Sequence, residues 1–103
     1  MNVAEMKIAI EKIATDLFAK YGATGWSVSF IPNTSGRAML GLCNYALRTV
    51  WVNPVVLECG DFATAENTIR HECAHVFAGS KAGHGPKWRR WAVACGANPG
   101  RVQ

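Results

Sequence analysis

The pattern His71-Glu72-Cys73-Ala74-His75 constrains this chain more than any other feature of its 103 residues. Two histidines four apart project at nearly the same angle only on a helix, where their imidazoles can meet on one metal ion. Glu72 lies about 100° round the helix from His71 and reaches a water on that ion without ligating it. The flanking residues support a helix. It should begin between Asp61 and Thr64, both acceptable N-caps, and run to about Ala78, where Gly79 stops it. Ile69, Cys73, Val76 and Phe77 form an apolar stripe on the far side. That stripe predicts burial against a sheet, with the histidine face turned to a cleft and Cys73 pointing away from the metal.

Catalytic zinc takes three protein ligands and leaves a fourth position to water. All three histidines of the chain fall between positions 71 and 84, so His84, at the end of the loop Ser80-Lys81-Ala82-Gly83, is the expected third ligand. A downstream carboxylate is excluded, because no Asp or Glu follows Glu72. The metzincin continuation requires a glycine at 78 and a histidine at 81, where this chain has Ala78 and Lys81. An upstream thiolate, Cys43 or Cys59, is the remaining alternative. The expected centre is Zn2+ held by His71, His75 and His84, with Glu72 as general base; Asn53 and backbone carbonyls are candidates for orienting the imidazoles.

Residues 2–21 place Met6, Ile10, Ile13, Leu17 and Tyr21 on one helical face, with Asn2 and Glu5 spaced as a capping box and Gly22 as a left-handed stop. A β-prone run, Trp26 to Ile31, follows, and Asn33-Thr34-Ser35-Gly36 reads as a turn. Runs at about Arg37 to Cys43 and Arg48 to Val52 flank Asn44-Tyr45-Ala46-Leu47 as an antiparallel hairpin, and Pro54 ends the second. Gly85-Pro86 reads as an N-cap followed by proline at the first helical position, opening a helix to about Cys95 with Gly96 as its cap. The expected fold class is α+β and zincin-like: three helices on a small antiparallel three-stranded sheet, with the metal motif on the second helix. One domain is expected over 1–103, with 97–103 as a tail.

Half of the residues are hydrophobic and 17% are charged, which suits a small globular domain and excludes a disordered tail. No apolar run is long enough to span a bilayer and no signal-peptide core opens the chain, so a cytoplasmic protein without a membrane partner is expected. The four cysteines form no C-x-x-C pair and are read as reduced thiols. Charge is unevenly spread. All seven acidic residues lie at or before Glu72, while five of the eleven basic residues follow it. Lys87, Arg89 and Arg90, interleaved with Trp88 and Trp91, are candidate nucleic-acid contacts, set against the alternative of a solvated helix face.

The continuation after the metal motif, His84-Gly85-Pro86-Lys87-Trp88, resembles that of the SprT-like zinc metallopeptidases, the group that includes bacterial SprT proteins and the Spartan proteases of DNA-protein crosslink repair. Arg37, Met39, Leu40 and Gly41, then Val50, Trp51, Val52 and Asn53, are similar to the family's upstream hairpin, and the first helix fits as well. The resemblance covers most of the chain and is carried chiefly by the His-Gly-x-x-Trp continuation. It implies a zinc-dependent endopeptidase with a protein substrate, acting near DNA. Many members add a C-terminal zinc ribbon or DNA-binding region; no cysteine pair follows His84 here, and the short form resembles minimal stand-alone members. The rival reading is a non-catalytic module in which zinc clamps two helices and the basic C-terminal third binds nucleic acid or a protein.

Overall fold

A computed structural model describes residues 1–32 and 39–100. In chain order the elements are α1 (Val3–Tyr21), β1 (Ser27–Ser29), β2 (Gly41–Asn44), β3 (Thr49–Val52), α2 (Pro54–Glu58), α3 (Phe62–Ala78) and α4 (Pro86–Cys95). The α+β class holds, with four helices where three were expected, and the metal motif on α3. The turn at 33–36 and the position of Arg37 lie outside the described residues.

Local chemistry sets the helix ends. The Asn2 side chain accepts the Glu5 N–H at 2.8 Å, and the Glu5 carboxylate accepts the Asn2 N–H at 3.1 Å. Gly22, at φ 76°, closes α1 in the left-handed conformation. Asp61 caps α3 by accepting the Thr64 N–H at 3.0 Å. The unexpected helix, α2, uses the same device: Asn53 Oδ1 accepts the Val55 N–H at 3.1 Å, and Pro54 occupies the first turn. Pro54 therefore ends β3 and starts α2 at once.

The sheet order is β1-β3-β2. β2 and β3 are antiparallel, with Leu42 opposite Trp51, whereas β1 runs parallel to β3, with Val28 beside Val50. The sheet is mixed and corrects the all-antiparallel expectation: β2 occupies one side of β3, so β1 joins the other side, running in the same direction. Arg48 sits at φ 50°, a left-handed conformation that belongs to the turn, and for that reason β3 begins at Thr49 and not at Arg48.

α3 is the central element, packed on α1, α4 and the inner face of β2 and β3. Val50 and Val52 enter the core from β3, facing Ile10 of α1, Leu57 of α2, Ile69 and Cys73 of α3, and Trp88 of α4. Each large apolar side chain buried this way contributes about 1.5–3 kcal/mol. Of the predicted α3 stripe, Ile69 and Cys73 are fully buried; Val76 and Phe77 are half-buried, with Phe77 packed on Tyr21 and Trp91. All four cysteines are free. Among the described residues no helix is long and apolar enough to cross a membrane.

Candidate metal centre

His71 and His75 stand one turn apart on α3, and the chain returns to them at once. Gly79 stops the helix, donating its N–H to the His75 carbonyl at 3.0 Å. The next residues form two tight turns, closed by Ala82 N–H on the Gly79 carbonyl at 3.2 Å and Gly85 N–H on the Ala82 carbonyl at 3.1 Å. Gly83, at φ 54°, supplies the left-handed step of the second turn. His84 is thereby set against the α3 pair: its Nε2 lies 3.1 Å from His71 Nε2 and 3.1 Å from His75 Nε2. The ligand atoms of the three residues all fall within 4.8 Å of one another.

That arrangement fits a metal better than it fits hydrogen bonding. His84 Nε2 has one in-plane position, proton or lone pair, yet two nitrogens face it at equal distance. A tetrahedral ion with metal–nitrogen bonds of about 2.0–2.1 Å separates its ligand nitrogens by about 3.3 Å, close to the spacing found. The donors are three imidazoles, a set suited to a divalent transition metal. Burial, with the neighbouring His84 second, pulls the His75 imidazole down to about 4, so it is neutral and its lone pair is free of a competing proton at neutral pH. The cysteine alternative is not realised. Cys59 is exposed, and burial pushes the Cys43 thiol up to about 12, which keeps it protonated.

The imidazoles are held from behind by Trp88, which is fully buried and makes ring contacts with all three: 4.6 Å to His71, 5.4 Å and nearly parallel to His75, and 4.8 Å edge-on to His84. Its indole N–H donates to the His71 carbonyl at 3.3 Å. Trp88 thus belongs to the core behind the histidine cluster, and its ring is not exposed for stacking on nucleic acid. Asn53 is likewise not an orienting residue for the imidazoles, because its amide caps α2 and donates to the Met39 carbonyl at 2.9 Å.

Glu72 enters the same cleft, a cavity of about 480 Å³ with Met39, Leu40, Leu42, Cys43 and Tyr45 on the wall opposite the histidines. Its side chain is 4% exposed, and burial pushes its carboxyl up to about 8. A carboxyl poised near neutrality beside a metal site is equipped to take up and release a proton. Tyr45 bridges the two walls, donating its hydroxyl to the His75 carbonyl at 3.0 Å. No sequence signal marks Tyr45, since nothing local shows that a hairpin turn reaches the end of α3.

The basic residues of α4 lie apart from this cleft and are exposed. Lys87 and Arg90 flank Trp91 in a shallow notch completed by Tyr21 of α1 and Ala94, whereas Arg89 is outside it.

The model of the SprT-like family matches residues 9–103. No curated protein and no solved structure matches the chain.

Proposed function

Because the chain belongs to the SprT-like family, we propose that it is a zinc-dependent endopeptidase whose metal is held by His71, His75 and His84. The observation that carries the reading is the convergence of three imidazole nitrogens beside a buried carboxyl in one open cleft. Bound there, zinc supplies Lewis acidity, polarising the scissile carbonyl and making water a nucleophile near neutral pH. The chain's own part falls to Glu72, which takes the proton from the attacking water and returns it to the leaving amine. Trp88 and the α3 backbone hold the imidazoles in place while this occurs, and Met39, Leu40 and Leu42 line the cleft with apolar surface.

The retained acid argues against a purely structural clamp, which needs no carboxyl beside the ion and usually closes its fourth position with cysteine. We infer in addition that the substrates are proteins associated with nucleic acid. The support is the exposed cation row Lys87, Arg89 and Arg90, none of which is ion-paired among the described residues.

The test is cleavage of an unfolded polypeptide such as casein, with and without chelator and with and without single-stranded DNA. Wild-type protein is expected to cleave only when metal-loaded. Glu72→Gln is expected to retain one zinc per chain and lose roughly 10²–10⁴-fold in rate. A Glu72→Gln variant as fast as wild type would remove the base from the mechanism.

A further inference from the structure

Glu72 presents a problem that the metal centre alone does not solve. No hydrogen bond or ion pair holds its carboxyl among the described residues. A general base must nevertheless be held within hydrogen-bond reach of the proton it takes. Packing is what remains to aim it.

The packing partner is the first residue of β2. A Cβ placed on Gly41 would lie 2.6 Å from Thr68 Cγ2, 2.9 Å from the Trp51 carbonyl oxygen and 3.1 Å from Glu72 Cγ. Gly41 does not have positive φ, so backbone conformation does not call for glycine here. Space does. Thr68 and Glu72 are one helical turn apart on the face of α3 that meets β2, and Thr68 is fixed by its own hydroxyl, which donates to the Thr64 carbonyl at 2.8 Å. The bare backbone at Gly41 lets β2 lie directly on the Glu72 side-chain stem, in the cleft that both residues line.

We propose that Gly41 is the positioning residue for Glu72: the missing side chain at the start of β2 forms the wall that confines the carboxyl to the metal cleft. This rests on the reading of Glu72 as the base, but its geometric half is independent of activity. A methyl group at position 41 crowds the Trp51 carbonyl, Thr68 and Glu72 at once, so it must lift β2 off α3 or displace those side chains, and either way the contact on the Glu72 stem changes.

The experiment compares wild type, Gly41→Ala, Thr68→Ser and the double variant Gly41→Ala/Thr68→Ser. Serine at 68 removes the methyl nearest the new Cβ while keeping the hydroxyl, so the double variant relieves the shortest contact and leaves those to the Trp51 carbonyl and Glu72 Cγ. It carries the test if Gly41→Ala alone does not fold. The first readout is NMR of the metal-free protein: a nuclear Overhauser contact between Gly41 Hα and the Glu72 γ protons, and a shift of those protons in Gly41→Ala that the double variant reduces. The second is kinetic, on zinc-loaded protein whose cobalt-substituted spectrum is unchanged. There Gly41→Ala is expected to lower kcat by about 10²-fold with KM within about twofold, and the double variant to recover part of it. Absence of the wild-type contact, or unmoved Glu72 protons in folded Gly41→Ala, overturns the proposal, as does an unchanged kcat. Should wild type cleave nothing, the kinetic reading of function fails, and the NMR arm still decides what Gly41 does to Glu72.

Discussion

At the scale of single residues, Glu72 and His75 leave a signature in the stability of the metal-free protein. Burial holds the Glu72 carboxyl at about 8 in the folded state against 4.5 when unfolded, so between those pH values the native state keeps a proton that the unfolded chain has lost. Stability from this group is therefore present at low pH and declines as pH rises through the window. His75 acts in the opposite sense: its folded value of about 4 against 6.5 means that the unfolded chain binds the extra proton, and stability declines as pH falls. The two oppose one another between 4.5 and 6.5 and separate above it. Urea denaturation in the presence of chelator should show a loss of about 2 kcal/mol attributable to Glu72 between pH 6.5 and 8, at about 1.4 kcal/mol per pH unit. Glu72→Gln should abolish that component. An identical slope in wild type and Glu72→Gln would mean that the carboxyl is not held protonated by the fold.

At the scale of elements, the parts legible in the sequence are those governed by local chemistry. Asn2 with Glu5, Gly22, Asp61, Gly79, Gly85-Pro86 and Gly96 marked helix ends, and the structure uses every one of them. Asn53-Pro54 carries the same N-cap and proline signal as Gly85-Pro86. Beside a β-prone run the same pair also marks the end of a strand, and that signal hides the start of α2. The parallel pairing of β1 with β3 left no local trace at all, because it follows from β3 lying between β1 and β2, a matter of tertiary packing and not of local sequence. The three-histidine cluster is legible because two of its members follow the helical period and the third lies one short loop away, whereas Tyr45 and Gly41 reach it through tertiary packing. An ion joining α3 to the loop before α4 restrains both elements. Free zinc at about 100 times Kd contributes about 2.7 kcal/mol. For a domain of this size that is worth at least about 10 °C in Tm, which chelation should remove and His84→Ala should make insensitive to chelator. Trp88 sets the other side of this junction. Trp88→Ala should cost about 3–5 kcal/mol by thermal or chemical denaturation, while Trp88→Phe should stay folded yet bind zinc more weakly, since it loses the indole bond to the His71 carbonyl.

At the scale of the whole molecule, a net charge of +4 understates the asymmetry, because the cations beyond Glu72 meet no anion from their own segment. Among the described residues the ion pairs join Lys12 to Asp16 and Arg70 to Glu66, both outside the α4 row. The sequence revealed this charge but not its setting: Tyr21, from the far end of the chain, completes the notch in which Lys87 and Arg90 flank Trp91. Trp91 meets Tyr21 edge-on at 5.0 Å and Phe77 at 5.1 Å, so its ring is braced and only partly covered. If single-stranded nucleic acid occupies this face, log affinity falls with log salt by about 0.7 per phosphate neutralised, giving a slope of about −2 for Lys87, Arg89 and Arg90 together. Fluorescence anisotropy of a labelled oligothymidine across a salt series measures it. Each alanine substitution in the row should lower the slope by about 0.7. Trp91→Ala should weaken binding by about 1–3 kcal/mol at constant slope, because stacking releases no counterions. A slope indifferent to all three cation substitutions would assign the row to keeping the protein in solution, and with it would go the inference that the proposed substrates are bound to nucleic acid.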